Sequence, residues 1–211
     1  GKSVLIKHIV GLLEPDSGEI FIEGTDVLKL QIKELNEIRK QLGFLFQGAA
    51  LYDSMSVKEN LEFPLIRHFN FTPKEREEKV KSVLEKVSLE EAINKMPSEL
   101  SGGMKKRIGL ARSIIAEPKL MLYDEPTTGL DPITSKEISS LILELQKSLK
   151  MTSIVVTHDL LCAEIIADRA IVLNEGAVQH SGTITELTTS RDPFLRNFFS
   201  HEIIEEQNRR I

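Results

Sequence analysis

Residues 100–132 read "LSGGMKKRIGLARSIIAEPKLMLYDEPTTGLDP", and the order of their features decides how the chain folds. Ser101, Gly102 and Gly103 stand where a helical run begins. There, unpaired backbone N–H groups and the positive end of the helix favour an anion, and the glycines let it approach the backbone. The same triplet can also be read as a turn that caps a helix and no more. The helix over "MKKRIGLARSIIAE" gives way to the apolar run "LMLY", of strand length, which ends on Asp124 and Glu125. Two carboxylates at the end of a buried strand need partners. Asp124 is placed to sit beside a Mg²⁺ at the strand's carboxyl end, and Glu125 to polarise a water for attack on a γ-phosphate. The competing reading is that both acids cap the following turn. "GLDP" then leads into a helix expected from about Pro132 to Leu149.

Downstream, the strand "TSIVVTH" (152–158) ends on His158, able to donate to a phosphate or to hold an attacking water, or else simply a partly exposed histidine. A short helix near 160–167 follows, then a hairpin turning on Asn174-Glu175-Gly176. Upstream, Val57 to about Val87 reads as helical, interrupted at "FNFTPKE", where Thr72 is expected as a helix cap with Pro73 at the first helical position. Before that come a helix behind Ser3, halted at "EPDSGE", a strand "IFIEG" (20–24), a polar helix from about Lys33 to Gln41, and the strand "GFLFQ" ending on Gln47. Gln47 is a candidate ligand or an ordinary loop residue. Alternating strands and helices predict a parallel sheet covered on both faces, with the helical block inserted into it. Gly1-Lys2-Ser3 has the form of the closing triplet of G-x-x-x-x-G-K-[ST], in which backbone N–H groups cradle phosphates, the lysine reaches the outer ones and the hydroxyl binds Mg²⁺.

The 211 residues, 41% hydrophobic and 28% charged, suffice for a substantial core, and a net charge of −5 argues against a general polyanion-binding surface. Cys162 is the single cysteine, so no internal disulfide is expected. No apolar run approaches the roughly 20 residues that span a bilayer, and no signal-like segment opens the chain, which reads as intracellular.

The ordered set (Lys2 and Ser3, Gln47 after a strand, an LSGG helix start, a DE-terminated strand, a GLD turn, a His-terminated strand) resembles the ATP-binding cassette (ABC) ATPases over essentially the whole chain. The resemblance implies an α/β P-loop NTPase fold. It implies one ABC-type nucleotide-binding domain over 1–211, with a helical subdomain at about 56–116 inserted in a RecA-like core and a helical tail at about 192–211. It implies ATP and Mg²⁺ as ligands. Gly1, Lys2 and Ser3 then match the end of the Walker A loop, Gln47 the Q-loop, Leu100 to Met104 the signature, Asp124 and Glu125 the Walker B pair, Asp131 the D-loop and His158 the switch histidine. By this match Ser3, Gln47 and Asp124 are the metal ligands, Glu125, His158 and Gln47 the catalytic set, and Gly1, Lys2, Ser3, Ser101, Gly102, Gly103 and Asp131 the nucleotide contacts. Met104 departs from the usual glutamine. Two such cassettes are expected to face head to tail, each ATP lying between one subunit's Lys2 and the other's Ser101. The glycine-rich half of Walker A, its strand and an adenine-stacking aromatic are expected ahead of Gly1. Without that strand the neighbouring ladder groups would lack partners, and residues 1–211 alone are expected to be weakly stable.

Within that family, "GFLFQGAALYDSMSVKENLEFPLIRH" (43–68), "LSGGMKKR", "DPIT" and "RDPFLRNFF" are similar to the Mla- and Mce-type lipid-transport ATPases. This implies integral membrane permease subunits, accessory lipid-binding subunits and a peripheral place on the cytoplasmic face of the inner membrane. Ala49, Ala50, Leu51 and Tyr52, with Met55, are expected to form an apolar socket for a permease helix, or alternatively to cover the domain's own core. The alternatives are an importer cassette for amino acids or other small solutes, and a non-transport ATPase acting on nucleic acid or ribosomes. The stretch between Gln47 and Ser101 leaves no room for a long coiled-coil insert, and nucleic acid is not expected as a partner.

Overall fold

The computed structural model describes residues 1–199. Its elements in chain order are α1 (Lys2–Ile9), β1 (Phe21–Ile22), β2 (Thr25–Asp26), α2 (Ile32–Arg39), β3 (Leu42–Leu45), α3 (Val57–His68), α4 (Pro73–Lys86), α5 (Gly102–Ile114), β4 (Leu120–Asp124), α6 (Pro132–Leu149), β5 (Thr152–Val156), α7 (Leu160–Ile166), β6 (Ala170–Asn174), β7 (Ala177–Gly182) and α8 (Ile184–Thr188). Residues 193–199 are helical, and the rest of the expected tail lies outside the described residues.

β3, β4 and β5 form a parallel sheet in that order, with Leu45 opposite Tyr123 and Asp124 opposite Val156. β4 is its middle strand. Met121 and Tyr123 join the large core built with α3, α4, α5 and α6, whereas Leu122 joins Ile6, Val10 and Val156 in a second core beneath α1. Successive side chains of a strand point to opposite faces, so an unbroken apolar run is what a strand covered on both sides requires. Polar caps set where the helices begin. Thr72 accepts from the Glu75 amide while Glu75 reaches back to the Thr72 amide, with Pro73 at the first position as expected. Ser56 and Glu59 form the same reciprocal pair at α3.

The long helix spans the residues expected of it, and the hairpin turns on Glu175 and Gly176, both at positive φ, as a two-residue loop between twisted strands requires. Other expectations are corrected. "IFIEG" yields only Phe21–Ile22, paired antiparallel with Thr25–Asp26. Phe21 is exposed, and Glu23-Gly24 at positive φ turns the chain before a longer strand can form. β1–β2 and β6–β7 are separate antiparallel pairs and do not extend the parallel sheet. β3 stops at Leu45 and β5 at Val156, each two residues short of the expected end. Next to them β4 leaves the ladder at Glu125, which adopts φ 50°, so Gln47 and His158 fall in loops beyond the carboxyl edge.

Candidate active site

The carboxyl edge of the parallel sheet collects most of the candidate residues. Ser3, at the start of α1, donates from Oγ to Asp124 Oδ1 at 2.8 Å, joining positions 121 residues apart. Gly1 caps α1 without a side chain and no acid lies in its first turn, which leaves the positive end of the helix uncompensated. A hydroxyl and a carboxylate oxygen, held together at a helix start, are the hard oxygen donors Mg²⁺ prefers, so these residues fit the ion that the family resemblance implies. Lys2 is exposed beside them.

One residue past Asp124, Glu125 takes a left-handed backbone conformation. Its amide donates to Val156 O at 2.8 Å, tying it to β5. Oε2 lies 2.8 Å from His158 Nδ1 and also accepts from the His158 amide at 3.4 Å and from Thr128 Oγ1 at 3.5 Å. All three contacts fall on Oε2. Oε1 has no hydrogen bond among the described residues, and the side chain keeps 14% of its surface exposed. A carboxylate oriented on one oxygen and open on the other can take a proton from a water.

Ser101, Gly102, Gly103 and Asp131 meet elsewhere, in an open cavity of about 410 Å³ whose lining includes none of Lys2, Ser3 or Asp124. Ser101 caps α5 through the Met104 amide at 3.3 Å. A Cβ on Gly103 would come within 2.9 Å of Thr134 Cγ2, so glycine is what lets the start of α5 lie against α6. Asp131 caps α6, accepting from the Ile133 and Thr134 amides at 3.0 Å each and from Thr134 Oγ1 at 2.5 Å. The Thr134 hydroxyl, foremost among these donors, holds the Asp131 carboxyl below its ordinary value.

The socket expectation is revised in part. Ala49 is buried and Leu51 packs on the main core, so these two serve the domain's own interior. Ala50 and Tyr52 of the expected socket are exposed, and Tyr52 lies against the exposed Phe63 of α3, ring centroids 5.0 Å apart, one turn before the exposed Ile66. A further set was not legible as functional. Lys106, within a run that reads as a solvated basic face, is only 5% exposed and donates to the Gln47 carbonyl. Asn60 is fully buried and holds Tyr52 and Met55 by their backbones. The helical spacing of Lys106, Gly109 and Arg112 was the available signal.

A parallel sheet whose carboxyl edge carries a lysine-serine helix start, a paired aspartate and an oriented glutamate defines an α/β fold of the P-loop NTPase class. The family model described as "ABC transporter" matches residues 1–128, and the chain belongs to that family. It is similar to the intermembrane phospholipid transport system ATP-binding protein MlaF of Haemophilus influenzae, 42% identical over 96% of this chain and 76% of that protein. It is also similar to the methionine import ATP-binding protein MetN of Carboxydothermus hydrogenoformans, 40% identical over 89% of this chain and 55% of that protein. Among solved structures, an ATP-binding cassette captured as a dimer in a post-hydrolysis state with ADP and phosphate superposes with a TM-score of 0.78. That cassette is 33% identical, with 87% of this chain and 81% of that one covered. The chain spans little more than half the length of several curated relatives, 58% in one case. Among the described residues, no helix is long and apolar enough to cross a membrane.

Proposed function

We propose that this chain is the ATP-hydrolysing part of an ABC transporter that moves phospholipids or other lipids, working at the cytoplasmic face of the inner membrane with permease and accessory lipid-binding subunits. The observation that carries the ATPase reading is the edge where Ser3 meets Asp124 and Glu125 meets His158. Lys2 would offset phosphate charge, and Ser3, Asp124 and Gln47 would hold Mg²⁺, which when bound would neutralise the charge shared by the outer phosphates. Glu125 takes the proton of the attacking water at Oε1. A 2.8 Å approach of Nδ1 to a carboxylate calls for the proton on that nitrogen, so His158 orients Glu125 from the other side.

The Ser101–Asp131 cavity supports a head-to-tail pair. An anion site that lacks the lysine and the metal ligands is complete only when a second cassette supplies them, and the dimeric ADP-bound relative is consistent with this arrangement. We assign the helical block at about 56–116 to a subdomain that carries the signature towards that partner. Lipid transport rests on the likeness to MlaF, named for phospholipid transport, and on the loop and tail segments quoted above. A small-solute importer is the second reading, favoured by the comparable identity to MetN.

The full-length parent protein should release phosphate from ATP with Mg²⁺, and Lys2→Ala should abolish this. Turnover that survives Lys2→Ala would sink the assignment. Mixing Ser101→Arg with Lys2→Ala subunits leaves one composite site intact, so activity regained only in the mixture supports shared sites. Purification from native membranes with its permease, followed by identification of the bound molecule, separates lipid from solute.

A further inference from the structure

The backbone of the loop that carries Gln47 is strained. Ala49 and Ala50 both adopt left-handed conformations, φ 60° and 51°, which residues with a Cβ avoid unless their surroundings hold them. What holds them is one face of α5. Lys106, Gly109 and Arg112 follow each other at three-residue spacing, which places them on one side of a helix. Lys106 Nζ donates to the Gln47 carbonyl, and Arg112 Nη2 donates to the Ala49 carbonyl at 3.1 Å. Between them, a Cβ on Gly109 would come within 2.9 Å of Ala49 Cβ, so only glycine lets the loop lie this close.

Lys106 is the costly member. Burying an ammonium is unfavourable without compensation, and burial draws its pKa below the ordinary lysine value, against the opposing pull of Glu125. Arg107, the next residue, points outward to Glu137 at 3.1 Å, so the helix had an exposed alternative for positive charge. The buried cation is directed at a backbone carbonyl, where it fixes a loop and makes no salt bridge among the described residues.

We infer that Lys106 is a positioning residue for Gln47: with Gly109 and Arg112 it locks the loop after β3 to α5, the helix whose first turn carries Ser101. Gln47 and the signature end then move as one body, although they are assigned to different nucleotides. The inference rests on the proposed reading of Gln47 as a metal ligand.

The test uses the full-length protein with Lys106→Met, which removes donor and charge, Lys106→Gln, which keeps a donor, and Gln47→Ala as reference. Two quantities are read. One is backbone amide exchange over residues 46–50, where the Ala49 amide is protected by its bond to Phe46 O. The other is the Mg²⁺ concentration for half-maximal turnover at saturating ATP. In Lys106→Met, exchange at 46–50 should quicken about tenfold, the order expected for one hydrogen bond to a charged group, with the rest of α5 unchanged. The Mg²⁺ requirement should rise by a similar factor, and Lys106→Gln should recover most of both. Wild-type exchange in Lys106→Met, or a Lys106→Gln protein as defective as Lys106→Met, overturns the inference. A normal Mg²⁺ requirement in Lys106→Met beside a raised one in Gln47→Ala overturns it alone. A normal requirement in Gln47→Ala overturns the reading of the site and the inference with it.

Discussion

Replacing Asn60 by alanine should unfold the protein at a markedly lower temperature, and the structure sets the size of the effect. Asn60 Oδ1 accepts from the Tyr52 amide at 2.8 Å, and its side-chain amide protons are shared among the carbonyls of Tyr52, Met55 and Ser56 at 3.1, 2.9 and 3.0 Å. Two of those carbonyls keep another donor after truncation. The Met55 amide still reaches Tyr52 O, and the Asn60 amide still reaches Ser56 O. Among the described residues, the Tyr52 N–H and the Met55 C=O lose their sole partner, while Arg112 Nη1 loses a long 3.5 Å contact to Oδ1 and the guanidinium keeps its bond to the Ala49 carbonyl. A buried polar group left unpaired costs about 1–3 kcal/mol. Tyr52 is 45% exposed, so water can serve part of its need. The sum is therefore about 2–4 kcal/mol, counting two groups with the first discounted. At about 2–4 °C per kcal/mol for a domain of this size, Tm should fall by about 5–15 °C. Thermal unfolding followed by circular dichroism, on wild type and Asn60→Ala at the same concentration without nucleotide, gives the number. A fall of less than about 2 °C, outside that range, would show that the loop keeps its shape without this side chain, and the accounting above would be wrong.

Glu125→Gln preserves the shape of the side chain but not its basicity, so turnover should fall by about 10²–10⁴ while nucleotide binding persists; an unchanged rate in a phosphate-release assay would transfer the role of base elsewhere. Because Asp131 titrates below its ordinary 3.8 in the folded protein, its contribution is complete above that value and is lost as pH falls towards the folded pKa. The Tm difference between wild type and Asp131→Ala should accordingly be present at neutral pH and close in acid; a difference that widens in acid would contradict the capping geometry. Phe63→Asp should weaken capture of the permease in a pull-down while ATP binding by the same variant is unchanged, whereas equal capture would place the docking surface away from Tyr52 and Phe63.

Much of the arrangement was legible because the candidate residues, at the sheet edge and in the separate Ser101–Asp131 cavity, sit in short motifs whose local physics is self-contained. Asp124 ends an apolar run, Ser101 begins a helix, Asp131 precedes a proline at a first helical position, and each was read correctly in place. What the pattern concealed depended on partners far away in sequence. Lys106 lies among Lys105 and Arg107, and composition alone cannot tell which of three consecutive cations turns inward; the loop around Ala49 decides that by approaching Gly109. Leu51 and Tyr52 are adjacent and both apolar, yet one packs on the core and the other is exposed, and the buried Asn60 that holds the Tyr52 backbone lies on another element. The short β1–β2 pair was overestimated for the opposite reason. "IFI" has the composition of a strand, but no second apolar layer covers Phe21.

The parallel pairing of β3 with β4 has a kinetic side. Leu42–Leu45 must find Leu120–Tyr123 across the whole of residues 46–119, and Ser3 must find Asp124 across a still longer loop. Contacts of such separation close late, after their entropy of closure has been met by nearer ones. The nearer ones are the caps and packing of α3, α4 and α5, which form within the intervening stretch. Refolding should thus order these helices before the sheet edge exists, and the nucleotide site should be the last part of the molecule to become competent. Any compound that binds that edge then acts on the final step of folding, and slows the first step of unfolding.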